Sequence, residues 1–294
     1  MSHLILLDKP KGMTSFSAVS ALRKKLGIKR IGHTGTLDPL ATGVLPLLTG
    51  RASRLSSMML EADKRYLATL KLGITTDSYD ITGNIISQSE VDITPEMFKA
   101  AAESFLGEYD QIPPMYSAIK KDGVRLYELA RRGEEVERKP RRIEIKELNI
   151  KNGENKNEYI IDVLCSKGTY IRSLVFDIGE KLGTGATLLE LRRTAVSGFS
   201  IEDCISLDDV IACPDDSFLR SAEECVKHLR AVEVSAPQGE RFLHGGELAF
   251  ERLKNLDNIE DGELLRVRAN GEFLGIGIGD FSKNAIKIGC IIKE

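Results

Sequence analysis

The chain has 294 residues, 42% of them hydrophobic and 29% charged, with a net charge of −3, a composition ordinary for a soluble globular protein of one large domain or a large and a small one. No apolar run reaches the roughly 18 residues of a membrane span, and the opening MSHLILLDKPKG, with four apolar residues before an Asp, does not read as a signal peptide. Five scattered cysteines with no CxxC pair argue against a disulfide frame or a zinc site and fit reduced thiols in the cytoplasm.

In chain order, Leu4–Leu7 reads as a short buried strand. Thr14 or Ser15 then caps a helix with Phe16, Val19, Leu22 and Leu26 at helical spacing, ended by Gly27. A glycine-rich loop, GHTGTLDPLATG (Gly32–Gly43), follows, and Arg51–Ala62 reads as a second helix. Tyr66–Gly73 alternates like a strand. Thr75–Gly83 is rich in turn formers and leads into a short strand at Ile85–Ser87. Pro95 opens a helix running through Phe105 and stopped by Gly107.

Residues 108–142 are basic, with prolines near both ends, a turn at Lys121-Asp122-Gly123 and a short helix near Leu126–Arg132. They read as a mobile insertion between regular elements. Strands at Ile143–Ile150 and Tyr159–Cys165, a helix over Thr169–Leu182 ended by Gly183, and an extended Leu188–Phe199 follow. The acidic stretch Glu202–Asp216 and a helix over Ala222–Arg230 close a first domain, 1–230. Strands at Leu264–Ala269, Glu272–Ile278 and Ala285–Ile292, with Gly275, Gly277 and Gly279 between them, predict a small β-rich domain, 231–294.

Charge is unevenly spread. Residues 1–72 hold 12 Lys/Arg against 4 Asp/Glu, and residues 113–142 hold 9 against 5. Residues 201–230 hold 3 against 8. A basic N-terminal half backed by an acidic remainder suits a polyanion, although basic patches also serve small anions and proteins.

The glycine-rich loop carries one His and one Asp, and no Ser or Cys. There is no GxxxxGK[ST] or GxGxxG to cradle a nucleotide phosphate, and no GxSxG nucleophile elbow. His33 and Asp38 have no third ligand nearby in a chain with four His, so no metal is expected. Taken alone, Asp38-Pro39 starts a turn. The remaining chemistry is a carboxylate used directly, as nucleophile or charge stabiliser. Arg172, in the first turn of a helix opened by Gly168-Thr169, is the best candidate to orient it; an ordinary surface ion pair is the other reading. Tyr66 and Tyr170 offer stacking surface for a base, or plain core packing.

Five segments together identify a resemblance: LDKPKGMTS (Leu7–Ser15), GHTGTLDPLATGVLPL (Gly32–Leu47), KRYLATLKLG (Lys64–Gly73) with TTDSYDITG after it, PPMYSAIKKDGVRLYELAR (Pro113–Arg131), and CSKGTYIRSLVFDIG (Cys165–Gly179) with LRRT (Leu191–Thr194). In this order they resemble the TruB family of tRNA pseudouridine synthases over nearly the whole chain. The departures are minor: Ser78-Tyr79 stands where a Thr and a variable residue are common. The resemblance implies an α+β pseudouridine synthase fold, a mixed and mainly antiparallel sheet with flanking helices, followed by a small β-rich PUA-like domain. It implies isomerisation of uridine 55 in the T loop of tRNA, by base flipping and attack of a catalytic Asp, without a cofactor.

It further implies Asp38, Tyr66 and Arg172 as catalytic residues, with Tyr66 packing on the target uracil and taking part in proton removal. His33 would stand at the flipped-out nucleotides, and Tyr170 and Leu191 would line the uracil pocket. Residues 108–142 would close over the T arm, with Lys120, Lys121, Arg125, Arg131, Arg132, Arg141 and Arg142 on its phosphates and a steep salt dependence of binding. Lys9 and Lys11 would support the RNA, the catalytic loop or only the local fold. Whether Asp38 adds to uracil C6, adds to C1′ or removes a proton stays open. The expected protein is a cytoplasmic monomer with no obligatory protein partner. The alternatives are the catalytic subunit of a guide-RNA complex and an RNA chaperone without chemistry.

Overall fold

β1 (His3–Lys9) contains the expected Leu4–Leu7 strand, with those four side chains almost wholly buried. The computed structural model describes residues 2–253 and 259–293. Thr14 caps α1 (Ser15–Leu26) by accepting from the Ser17 N–H, and Gly27 ends the helix in left-handed backbone, φ +66°. The buried stripe is Ser15, Ala18, Val19 and Leu22. Phe16, expected on that face, is 68% exposed. Its spacing from Val19 is helical, but at about 100° per residue it points well to one side of the stripe.

β2 (Ile31–His33) and β3 (Thr42–Thr49) flank the glycine-rich loop. The single helix expected over Arg51–Ala62 is instead a 3₁₀ segment, Gly50–Leu55, running into a short α-helix, Ser56–Leu60. The Ser53 and Ser56 hydroxyls donate to carbonyls three residues back, which favours the tighter turn. β4 (Lys64–Leu72) buries alternate residues, as its pattern requires. The turn-rich segment is the loop of a hairpin between β5 (Ile74–Thr76) and β6 (Ile85–Gln88). Thr94 caps α2 (Pro95–Glu103).

Four further elements complete the frame: β7 (Gly107–Gln111), β8 (Arg141–Asn152), β9 (Glu158–Cys165) and, after α3 (Ile171–Leu182), β10 (Ala186–Val196). The main sheet runs β1-β3-β10-β4-β9-β8-β7, with Ile205–Ser206 outside β1. Pairing is antiparallel except for β1 with Ile205–Ser206 and β3 with β10. The sheet is therefore mixed and mainly antiparallel, with helices against it, as expected. One large cluster, including Leu22, Leu45, Ala68, Phe98, Ile161, Leu174 and Leu191, packs α1, α2 and α3 onto it. Each of the Leu, Ile and Phe side chains contributes roughly 1.5–3 kcal/mol on burial.

The expected insertion is shorter than 108–142. Residues 107–111 and 141–152 are strands that pair with each other at the sheet edge, Arg141 opposite Gln111 and Arg142 opposite Asp110. The segment between them holds a small core of its own, Met115, Leu126 and Leu129, with a hairpin of Lys120–Lys121 and Val124–Arg125 and a helix over Leu126–Arg131.

The helix expected at Ala222–Arg230 is a 3₁₀ turn, Ala222–Val226, and Arg230 already begins a strand. That strand, Arg230–Val234, opens a second sheet, followed in spatial order by Leu264–Ala269, Glu272–Asp280, Ala285–Ile291 and Leu248–Ala249. Gly275, Gly277 and Gly279 lie inside a strand rather than between strands. A Cβ on Gly277 would stand 2.3 Å from the Ile286 side chain, so small residues let the sheet pack closely here. A helix over Ala236–Leu243 was not anticipated, although its Ser235/Gln238 capping box and early Pro237 are standard start signals. Within the expected 231–294 unit, residues 254–258 and 294 lie outside the described residues. Among the described residues no helix is long and apolar enough to cross a membrane.

Candidate active site

The glycine-rich loop is held from both sides. The Ser15 hydroxyl accepts from the Leu37 N–H at 2.8 Å and donates to the Leu37 carbonyl at 3.1 Å. The Gly12 N–H donates to the Pro39 carbonyl at 2.7 Å. Lys9, fully buried, donates to the Pro10 and Met13 carbonyls at 2.9 and 2.6 Å, which folds LDKPKGM into the bracket that carries Gly12 and Ser15. Burial pulls the Lys9 ammonium down to about 8, against the opposing charge of Asp38. Lys11 is exposed and pairs with Glu190 at 3.3 Å. Lys9 thus builds the loop support, while Lys11 faces solvent.

Arg172 is the second residue of α3 and is 4% exposed. Its guanidinium is used on three sides. Nε forms an ion pair with Asp38 Oδ2 at 2.9 Å, Nη2 donates to the Tyr116 carbonyl at 2.7 Å, and Nη1 to the Ser78 carbonyl at 3.0 Å, with Asp80 Oδ2 at 3.7 Å from Nη1. This is a buried fork, not an ordinary surface pair. Oδ1 of Asp38 has no protein partner among the described residues, and the side chain is 38% exposed. One carboxylate oxygen is anchored and the other is open to a ligand.

Asp80 is a site residue that the sequence reading passed over. Its Oδ1 accepts from the Ser78 hydroxyl at 2.9 Å and from the Thr82 N–H and hydroxyl at 3.0 and 2.5 Å, so this buried carboxylate is well solvated by its own turn. Tyr79 between them adopts φ +64°, uncommon for a bulky residue, and its ring stacks on Phe176 of α3 at 4.0 Å. The signal was present in TTDSYDITG, which reads as turn formers and as a segment of the resemblance, without a site role for Asp80.

Asp38, Tyr66, Tyr170, Arg172 and Leu191 come together around one cavity of about 320 Å³, with Gly35, Thr36, Lys64 and Arg193 also in its wall. That volume suits a small planar ring. Burial pushes the phenols of Tyr66 and Tyr170 up from their ordinary value. Tyr170, which precedes α3, is held by Gln111. The Gln111 side chain accepts from the Tyr170 N–H at 2.8 Å and donates to its carbonyl at 3.1 Å and to the Tyr109 hydroxyl at 2.6 Å.

Arg193 is the other residue missed, present in the sequence only as part of LRRT. It is 1% exposed and donates to the Val44 carbonyl at 2.7 Å and the Gly35 carbonyl at 3.3 Å. It thereby ties β10 to both ends of the Asp38 loop. Opposite it on β3 is Gly43, φ +103°, where a Cβ would stand 2.2 Å from the Arg193 carbonyl oxygen. The last glycine of the loop is required by this close approach.

His33 lies at the end of β2 and is not among the cavity's lining residues. Its Nδ1 accepts from the Gly35 N–H at 3.4 Å, and burial lowers its pKa. Lys120, Lys121, Arg125, Arg131, Arg132, Arg141 and Arg142 are all exposed. Arg125 and Arg131 flank the Tyr127 ring at 5.8 and 5.5 Å. Lys121 donates to the Glu137 carbonyl, and Arg142 pairs with Glu108 and Asp110 across the strand edge, so Arg142 is partly neutralised.

Known proteins resemble this chain over most of its length. Residues 23–171 match the model of the TruB family pseudouridylate synthase N-terminal domain, and residues 172–232 that of the tRNA pseudouridylate synthase B C-terminal domain. The chain is 43% identical to tRNA pseudouridine synthase B of Alkaliphilus oremlandii, covering 100% of this chain and 99% of that one. It is 42% identical to that of Clostridium tetani, with 98% of each covered. In three dimensions it is similar to a chain in the crystal structure of a Cbf5-Nop10-Gar1 complex, at 26% identity and a TM-score of 0.75, covering 99% of this chain and 85% of the other. Two adjoining family models that span most of the chain, and near-full-length relatives well above 30% identity, place it: the chain belongs to the TruB family of pseudouridylate synthases.

Proposed function

We propose that this protein isomerises uridine 55 in the T loop of tRNA to pseudouridine, with Asp38 as the attacking group and no cofactor. The observation that carries the reading is the Asp38–Arg172 pair, 2.9 Å apart, in a cavity walled by Tyr66, Tyr170 and Leu191. The reaction breaks the bond from C1′ to N1, rejoins C1′ to C5 and moves one proton, so atoms balance without a co-reactant. The target base leaves its stack at a cost of a few kcal/mol, offset by stacking on aromatic walls worth about 1–3 kcal/mol per base. Arg172 and the positive end of α3 hold the carboxylate toward the flipped nucleotide. Tyr66 packs on the uracil and takes part in removing the C5 proton; Tyr170 and Leu191 shape the pocket; His33 stands at the flipped-out nucleotides. The exposed cations at 120–142 hold T-arm phosphates, and the enzyme acts as a cytoplasmic monomer.

Tritium release from tRNA labelled at uracil C5 tests this reading. Wild type releases tritium; Asp38→Asn does not, with tRNA affinity little changed. Activity in Asp38→Asn would remove Asp38 as the attacking group. The likeness in fold to a Cbf5 complex favours a second reading, dependence on guide RNA and partner proteins. Turnover of a bare tRNA transcript by the chain alone excludes it. Wild-type chain that binds and folds tRNA without turnover would instead mark a chaperone.

A further inference from the structure

We propose that Arg193 makes Tyr66 a competent proton acceptor by holding the phenolate oxygen in the cavity wall. The inference rests on the isomerisation proposed above and adds a residue to its last step. Arg193 is almost wholly buried, yet no carboxylate lies within ion-pair distance among the described residues, and it donates instead to the Val44 and Gly35 carbonyls. A buried guanidinium without an anion is costly, so its place in a cavity wall needs an anion that forms there.

The topology points to which one. β10 lies between β3 and β4, and Arg193 stands opposite Gly43 on one side and opposite Tyr66 on the other. Lys9, His33 and Lys64, which also feel Arg193, carry no negative charge. Besides Arg193, Tyr66 faces Cys165 and Asp38. Cys165 has its thiol pushed up to about 12 by burial and is neutral, and Asp38 is engaged by Arg172. Tyr66 is therefore the one group in this set that can supply Arg193 with an anion. Burial raises the Tyr66 phenol, and the guanidinium opposes that rise.

In the step concerned, Tyr66 is present as phenolate, its own proton having passed to water. After C1′ has joined C5 and left C6 doubly bonded to N1, the C5–H bond breaks, its electron pair forms the C5–C6 double bond, the C6–N1 π pair returns to N1, which takes a proton from water, and the C5 proton goes to Tyr66 Oη. Arg193 acts through Tyr66 and is a positioning and charge-balancing residue.

The test is the single-turnover rate as a function of pH for Arg193→Met, Arg193→Lys and Tyr66→Phe, with tRNA carrying hydrogen or deuterium at uracil C5. Arg193→Met should lose about a hundredfold at pH 7, the low end of what a general base supplies. Its rate should climb with pH as the phenol ionises unaided, and it should show a primary isotope effect absent from wild type. Arg193→Met added to Tyr66→Phe should cost nothing more. Arg193→Lys should stay within about tenfold of wild type at pH 7. A wild-type pH profile and no isotope effect in Arg193→Met, or full additivity with Tyr66→Phe, overturns the inference and leaves Arg193 as a loop brace. If Arg193→Met does not fold, Arg193→Lys decides alone: a loss as deep as that of Tyr66→Phe overturns it. Wild-type turnover with an inactive Asp38→Asn keeps the proposed reaction standing in either case.

Discussion

Replacing Arg172 by Met, together with Asp80→Asn, separates what this guanidinium does for the fold from what it does for the reaction. Arg172→Met keeps most of the side-chain volume and removes every polar contact. It strands the Ser78 and Tyr116 carbonyls, leaves Asp38 unanchored, and leaves Asp80, itself buried, without its countercharge. Breaking a buried pair by removing one partner costs about 3–5 kcal/mol. Asp80 still accepts three hydrogen bonds from Ser78 and Thr82, and Asp38 can take water, so about 3 kcal/mol is the expected loss. At roughly 2–4 °C per kcal/mol for a chain of this size, the melting temperature falls by about 6–12 °C. Adding Asp80→Asn removes the stranded charge while keeping an acceptor for Thr82, and should restore about half of that loss. It should not restore turnover, because Asp38 still lacks its anchor. Thermal melts and tritium release on the same samples read both quantities. Recovery of turnover in the double variant would show that Arg172 does not act through Asp38. No recovery of stability would show that Asp80 is not the stranded charge.

Gln111→Met, of similar volume and 1% exposed in the wild type, loses both bonds to the Tyr170 backbone; turnover should drop by up to about a hundredfold through misplacement of the ring, with tRNA affinity held. Unchanged turnover in a well-folded variant would separate Tyr170 from the chemistry. Asp177 faces the Tyr109 hydroxyl, and burial pushes its carboxyl up from 3.8 to about 6. The folded state therefore holds this proton more tightly than the unfolded one. Its contribution to stability is full below about pH 4 and is lost as pH rises through 6. Asp177→Asn should accordingly melt higher than wild type at pH 8, by about 1 kcal/mol after solvent screening, and gain little at pH 4. An equal gain at both pH values would refute the ionisation argument. Gly43→Ala should cost about 3 kcal/mol, from the clash with Arg193 and the positive φ together; a denaturant midpoint within error of wild type would contradict the close approach.

Much of the fold was legible because its signals are local. Thr14 and Gly27 bound α1, Pro95 opens α2, and the alternation of β4 gives its buried face. Failures came where a distant partner decided the outcome. Residues 108–111 carry a basic loop's neighbourhood in sequence, but their pairing with β8 makes them a sheet edge. Arg230 closes a helical pattern in sequence, but Leu264–Ala269 recruits it as a strand. Phe16 has helical spacing from Val19, yet the sheet meets α1 on the Ser15–Leu22 stripe.

The same division holds at the site. By itself the sequence determined the family resemblance, the Asp38 loop, and the pairing of a carboxylate with an arginine more than 130 positions later. Only the tertiary structure decided what surrounds that pair. Asp80 became its second carboxylate because the β5–β6 turn folds under α3, and Gln111 became a clamp because the sheet edge ends at Tyr170. Arg193 became a cavity wall because β10 runs between β3 and β4, which brings Gly43 and Tyr66 to its two sides. Charge, spacing and turn chemistry act over a few residues and can be read along the chain. Which buried charges share a cavity depends on strand order, and that is set by how the whole sheet closes.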